Sequence, residues 1–93
     1  MTRNRRFWDR TDFDGTVHLT YSDLMEGRLT IACKVVNYSD EGLGLRSNHA
    51  LGVFVPLHIL VGTDDYEGEV RYCRKNSEGD YDLGIKVFFD DTK

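Results

Sequence analysis

The chain has 93 residues, room for one small domain and too little for a second catalytic one. Hydrophobic residues make up 40% and aromatics 12%, enough for a compact fold and against intrinsic disorder. Sixteen acids against twelve bases give a net charge of −4. The first ten residues hold four arginines against one aspartate, a local +3 that leaves −7 on residues 11–93. An acidic body disfavours broad nucleic-acid binding, whereas the basic arm can hold a small anion.

Residues 1–12 are predicted to be a flexible arginine-rich arm, Arg5-Arg6-Phe7-Trp8-Asp9-Arg10 at its centre. Arg6 and Arg10 lie roughly 13 Å apart if the segment is extended, and a bend brings both onto one ligand. Guanidinium suits such a role, because its planar fork matches phosphate oxygens and the O6/N7 edge of guanine, and its face stacks on purines. Taken alone, the arm also reads as a solvated basic tail or a weak nucleic-acid contact. No apolar run of about 18 residues and no signal-peptide pattern is present, so a cytoplasmic protein without a membrane span is expected.

From about Phe13 the chain alternates apolar and polar residues between glycine-bearing turns. Val17, Leu19 and Tyr21 predict a first strand; after the turn Met25-Glu26-Gly27-Arg28, Leu29, Ile31, Cys33 and Val35 predict a second. Asn37-Tyr38-Ser39-Asp40-Glu41-Gly42 then reads as a turn. Asn37 and Ser39 are two apart and face one way, either bonding local backbone or offering amide and hydroxyl to the edge of a base. Leu43 and Leu45 mark a short third strand, and Val53, Val55, Leu57 and Ile59 a fourth, in which Pro56 argues for an edge or a bulge. The fifth runs from Glu67 to Arg74, with Val70 and Tyr72 on one face and Arg71 and Cys73 on the other. Lys75-Asn76-Ser77-Glu78-Gly79-Asp80 turns the chain into the sixth, Tyr81 to Phe89. Six short strands and no sustained helical period predict a small all-β antiparallel barrel or half-closed sandwich over 13–93.

Catalytic signals are missing: there is no nucleophile elbow, phosphate loop, zinc helix or dinucleotide turn. Asp64-Asp65 and Asp90-Asp91 are adjacent pairs whose side chains point apart, and they read as solvated surface. Cys33 and Cys73 read as reduced thiols, and His18, His49 and His58 lack metal spacing. Asn37-Tyr38-Ser39 fits the glycosylation pattern, which a cytoplasmic chain does not use.

An RxxxR arm, an NxSxxG turn about thirty residues later, the run Gly42-Leu43-Gly44-Leu45, the Leu51-Gly52 pair and the closing strand Gly84-Ile85-Lys86-Val87-Phe88 together resemble the PilZ domain over essentially the whole chain. The resemblance implies a six-stranded antiparallel β-barrel that binds the bacterial second messenger cyclic di-GMP. In that family the residues matching Arg6 and Arg10 grip the phosphates and guanine Hoogsteen edges, and those matching Asn37, Ser39 and Gly42 hold guanine and leave room for it. Asn37 stands where many members have Asp, and an amide can donate as well as accept. Arg5 precedes the RxxxR motif, a placement associated with two stacked copies of the ligand. Gly84 and Lys86 are accessory positions, and Trp8 either stacks on a base or, the reading we favour, pins the arm to the barrel. The family's C-terminal helix has no counterpart here, which predicts a barrel end left open or covered by another copy in a homodimer. The function implied is a non-enzymatic receptor, without metal or cofactor, that passes ligand level to an unidentified protein partner through rearrangement of the arm. The alternatives are a nucleotide-independent interaction adaptor and, least favoured, a single-stranded nucleic-acid binder.

Overall fold

The computed structural model describes residues 7–9 and 13–89. Six strands, β1 (Thr16–Asp23), β2 (Gly27–Tyr38), β3 (Gly42–Ser47), β4 (Pro56–Val61), β5 (Asp64–Lys75) and β6 (Tyr81–Phe88), form a closed barrel in the order β1-β2-β3-β6-β5-β4. Every neighbouring pair is antiparallel. The all-β barrel expected from the alternation is therefore observed, and closure removes the edge strands that an open sheet would leave.

The inward positions are those the two-residue period selects. Val17 and Leu19 from β1, Ile31 and Cys33 from β2, Leu43 and Leu45 from β3, Leu57 and Ile59 from β4, Val70 from β5 and Leu83, Ile85 and Val87 from β6 make one buried core. β5 starts at Asp64, three residues before the expected Glu67, and larger differences from the sequence reading fall at β4 and β2. Val53 and Val55 do not belong to β4: the chain there makes a bend in which Phe54 adopts φ 71°, its N–H donating to the Val70 carbonyl at 2.7 Å. Pro56 opens β4 instead of sitting within it. It pairs with Glu69 of β5, and contact with β1 begins only at His58, so no ladder bond asks for the missing N–H. β2 runs on to Tyr38, which takes Asn37 out of the turn and into the strand.

Two bulges interrupt the alternation, one between Val35 and Asn37 on β2 and one between Val70 and Tyr72 on β5. A bulge inserts one residue and reverses which face the following side chains take. On β5 this corrects the expected faces: Val70 is fully buried while Tyr72 is exposed, and Cys73, expected with Arg71, packs against the core.

The barrel end where β2 and β6 finish is closed by aromatic rings. Phe7 and Trp8, in a 3-10 turn over Phe7–Asp9, are 1% and 7% exposed. Phe7 contacts Phe13 and Tyr66 at centroid distances of 5.4 and 4.9 Å, and Trp8 contacts Tyr38 and Phe89 at 5.8 and 5.7 Å. Phe7 and Trp8 fill this end, and the core extends to residues that precede Phe13. Residues 90–93, and with them the expectation that no C-terminal helix is present, lie outside the described residues.

Two predictions follow from the core. Phe7→Ala removes a ring buried among Trp8, Phe13 and Tyr66 and is expected to cost about 3 kcal/mol or more, lowering the melting temperature by at least about 10 °C; an unchanged melting curve would show that the ring is not part of the core. Burial pushes the Cys33 thiol above its ordinary pKa, against a hydrogen bond with Ser47 that lowers it, and burial also raises the Tyr21 phenol. The folded state thus holds the thiol proton more tightly than the unfolded state, whose thiol titrates near about 8.5. Stability is expected to fall as pH rises through that value, with a smaller fall in Cys33→Ala, as read from urea midpoints between neutral and alkaline pH.

Candidate functional site

The outer face of β2, β3, β6 and β5 carries an open concavity of about 470 Å³ whose lining includes Asn37, Ser39, Gly42, Gly84 and Lys86. Five positions singled out from the sequence therefore meet in one place, although they come from three strands and a turn. The volume lies within the range of small-molecule sites. Tyr38, Glu41, Gly44, Arg71 and Tyr72 also line it.

Asn37 reaches this face because of the β2 bulge. Continuing the period Ile31, Cys33, Val35 would aim residue 37 into the core; the extra residue at Val36 turns it outward, opposite Gly44 of β3. Its carboxamide lies over Gly44, where even a methyl group would overlap it. Ser39 follows in the turn. Its N–H donates to the Gly42 carbonyl at 2.9 Å, and its hydroxyl accepts a long bond of 3.4 Å from the Glu41 N–H. Gly42 sits against β6: a Cβ there would collide with the carbonyl oxygen of Ile85, and the next bond along, from the Val87 N–H to the Glu41 carbonyl, is 3.0 Å. Glycine at 42 is thus a demand of close backbone approach.

Charge at the site comes from paired groups. The Lys86 ammonium donates to Glu41 Oε1 at 3.3 Å, and Arg71 lies 3.8 Å from Glu69. Both pairs are solvent-exposed and weak, so an incoming anion can take either cation at little cost. On the β5 side the Tyr72 ring covers Gly84, and the Arg74 guanidinium stands 5.0 Å from its centroid, a cation–π arrangement.

Trp8, expected to stack or to pin, is buried between Tyr38 and Phe89. Since Tyr38 is also a wall of the concavity, the 3-10 turn is fixed beside the site. Arg5, Arg6 and Arg10 lie outside the described residues. Arg71, Tyr72 and Glu41 carry no site signal in the sequence, and Gly44 enters only within the run Gly42-Leu43-Gly44-Leu45. A period-two reading puts Tyr72 inside, and only the bulge, which carries no composition signal of its own, brings it out.

Among the described residues no cluster of His, Cys, Asp or Glu is arranged to hold a metal ion, and no helix is long and apolar enough to cross a membrane. In the acidic pair at 64–65, Asp65 forms a 2.8 Å hydrogen bond with His58 Nδ1, away from the concavity. No family model, curated protein or solved structure matches the chain.

Gly42→Ala is expected to force β3 and β6 apart locally, costing about 1–3 kcal/mol and raising amide exchange at Ser39 and Val87 above that of β1. Exchange at those two amides as slow as in the parent protein would show that the close approach is not what requires glycine.

Proposed function

We propose that the chain is a receptor for cyclic di-GMP, of the PilZ type that its sequence resembles, acting in the cytoplasm without catalysis or cofactor. The observation that supports this most directly is the convergence of Asn37, Ser39, Gly42, Gly84 and Lys86 on one outward concavity, beside the turn that begins and ends next to Arg6 and Arg10 in the sequence. The ligand has two guanines and two phosphodiesters. Such a molecule calls for amide and hydroxyl groups at a base edge, bidentate guanidinium groups for phosphate and Hoogsteen contacts, and aromatic surface for stacking.

In this reading Asn37 and Ser39 hold a guanine edge over the gap that Gly42 leaves. Lys86 and Arg71 exchange their carboxylate partners for phosphate, and Arg6 and Arg10 close on the ligand from the arm. Phe7 and Trp8 keep their place in the core, so rearrangement pivots on the 3-10 turn between the two arginines. Arg5 supports a second stacked copy of the ligand. The new surface made by arm and ligand is what a protein partner reads.

Calorimetric titration of cyclic di-GMP tests the proposal, with GTP as control. Saturable binding at a ratio of two ligands per chain is expected, weakened by Arg10→Ala or Asn37→Ala by roughly ten- to a hundred-fold, the loss of one or two charge-assisted or buried hydrogen bonds. Amide exchange of residues 1–12 is expected to slow on binding. A folded protein that gives no heat with the dinucleotide sinks the reading and favours an interaction adaptor.

A further inference from the structure

Four residues form one cross-strand row on the outer face: Asn37 of β2 opposite Gly44 of β3, Gly44 opposite Gly84 of β6, and Gly84 opposite Tyr72 of β5. The two central positions are glycine, yet neither has the positive φ that would demand it. What each glycine leaves empty is filled by a neighbour's side chain. A methyl group at Gly44 would overlap the Asn37 carboxamide, and one at Gly84 would overlap the Tyr72 ring. The two outer residues of the row share a second property, since each follows a bulge that turns it from the core to the surface.

We propose that Gly44 and Gly84 are positioning residues for the candidate site. By withholding side chains from the middle of the row, they let Asn37 and Tyr72 lie down across the sheet from opposite sides and so set the floor and width of the concavity. The ligand half of this inference rests on the cyclic di-GMP reading; the geometric half does not. An alanine at 44 would lift the carboxamide away from the sheet, and a hydrogen bond to a base edge tolerates only a few tenths of an ångström before it weakens.

The other strand glycines make a useful contrast. Gly42 is held by the Ile85 carbonyl of the backbone, and a Cβ at Gly68 would meet the Ile59 and Ile85 side chains in the core as well as the Lys86 carbonyl. Alanine at those two positions disturbs the barrel itself. At 44 and 84 the first atoms met belong to residues of the concavity's rim, Asn37 and a Tyr72 that is 40% exposed, which can swing outward while the barrel stays intact. Tyr72 also carries the Arg74 guanidinium on its ring, so displacing the ring moves a cation near the rim.

The test is a double-mutant cycle with a readout that needs no ligand. Gly44→Ala is compared with the parent by nuclear magnetic resonance of the Asn37 side-chain amide, and Gly44→Ala, Asn37→Ala and the double variant are compared with the parent by calorimetry with cyclic di-GMP. Gly84→Ala with Tyr72→Ala forms the matching cycle on the opposite wall and serves if either alanine variant does not fold. Gly44→Ala is expected to move the Asn37 amide resonances in the free protein and to weaken binding about ten-fold, but less than two-fold when Asn37 is already alanine. Unmoved Asn37 resonances, or the same loss of affinity in both backgrounds, would overturn the inference. If the parent protein binds no cyclic di-GMP while Gly44→Ala still moves Asn37, the receptor reading falls and the positioning role stands.

Discussion

Six antiparallel strands closed on themselves leave an interior with space for side chains and nothing else, because barrel width grows with strand number and even eight strands only just hold a packed core. Everything else about this molecule follows from that narrowness. Inward positions are apolar apart from Ser47, which hydrogen-bonds the buried Cys33; a ligand has to be met on the outside or at an end; and a residue can serve recognition only if the backbone points it away from the core. The alternation that builds the barrel would by itself send Asn37 and Tyr72 inward. Two inserted residues, one in β2 and one in β5, reverse their sense and so convert core register into surface register at the two walls of the concavity.

The ends of the barrel are a separate problem, since strands protect a core from the side only. At one end the answer is local. Leu51, 7% exposed, and the partly buried Val55 of the connection before β4 pack against the core. At the other it is an aromatic cluster in which Phe7, Trp8, Phe13, Tyr66 and Phe89 meet edge to face or tilted, the geometry ring quadrupoles prefer. Trp8 joins this cluster to Tyr38. The packing that seals the core and the wall that borders the concavity therefore share a residue, which couples the stability of the barrel end to the shape of the site.

Much of this was legible in the sequence. Strands β1, β3 and β6 follow from Val17-Leu19-Tyr21, Leu43-Leu45 and Tyr81 to Val87, because an undisturbed two-residue period has one interpretation. The fourth strand starts later than its alternation suggests, because Val53 and Val55 keep the period through a bend whose cause, a left-handed Phe54 bonded to Val70, is a tertiary contact. The face of Tyr72 is hidden from the sequence for a related reason: a bulge is defined by the partner strand, and a single strand does not contain it. The motif positions Asn37, Ser39 and Gly42 stood out through their residue types. The partners they meet, Gly84 and Lys86, needed the resemblance, and Arg71 and Tyr72 needed the fold. Phe7 reads as part of an arm because its neighbours are charged, and burial by residues far along the chain leaves no local trace.

The aromatic seal also bears on how the chain folds. Trp8 and Phe89 touch across nearly the full described length of the chain, and β1 pairs with β4 across two intervening strands. Contacts so distant in sequence carry the largest loop-closure entropy and slow the transition that makes them. Hairpins β1–β2 and β5–β6 can form early, because their partners are adjacent, but the end of the barrel stays unsealed until Phe89 has been synthesised and brought back to Trp8. During synthesis the apolar end is thus open until Phe89 has left the ribosome, the interval in which a small β protein is most exposed to association with its neighbours.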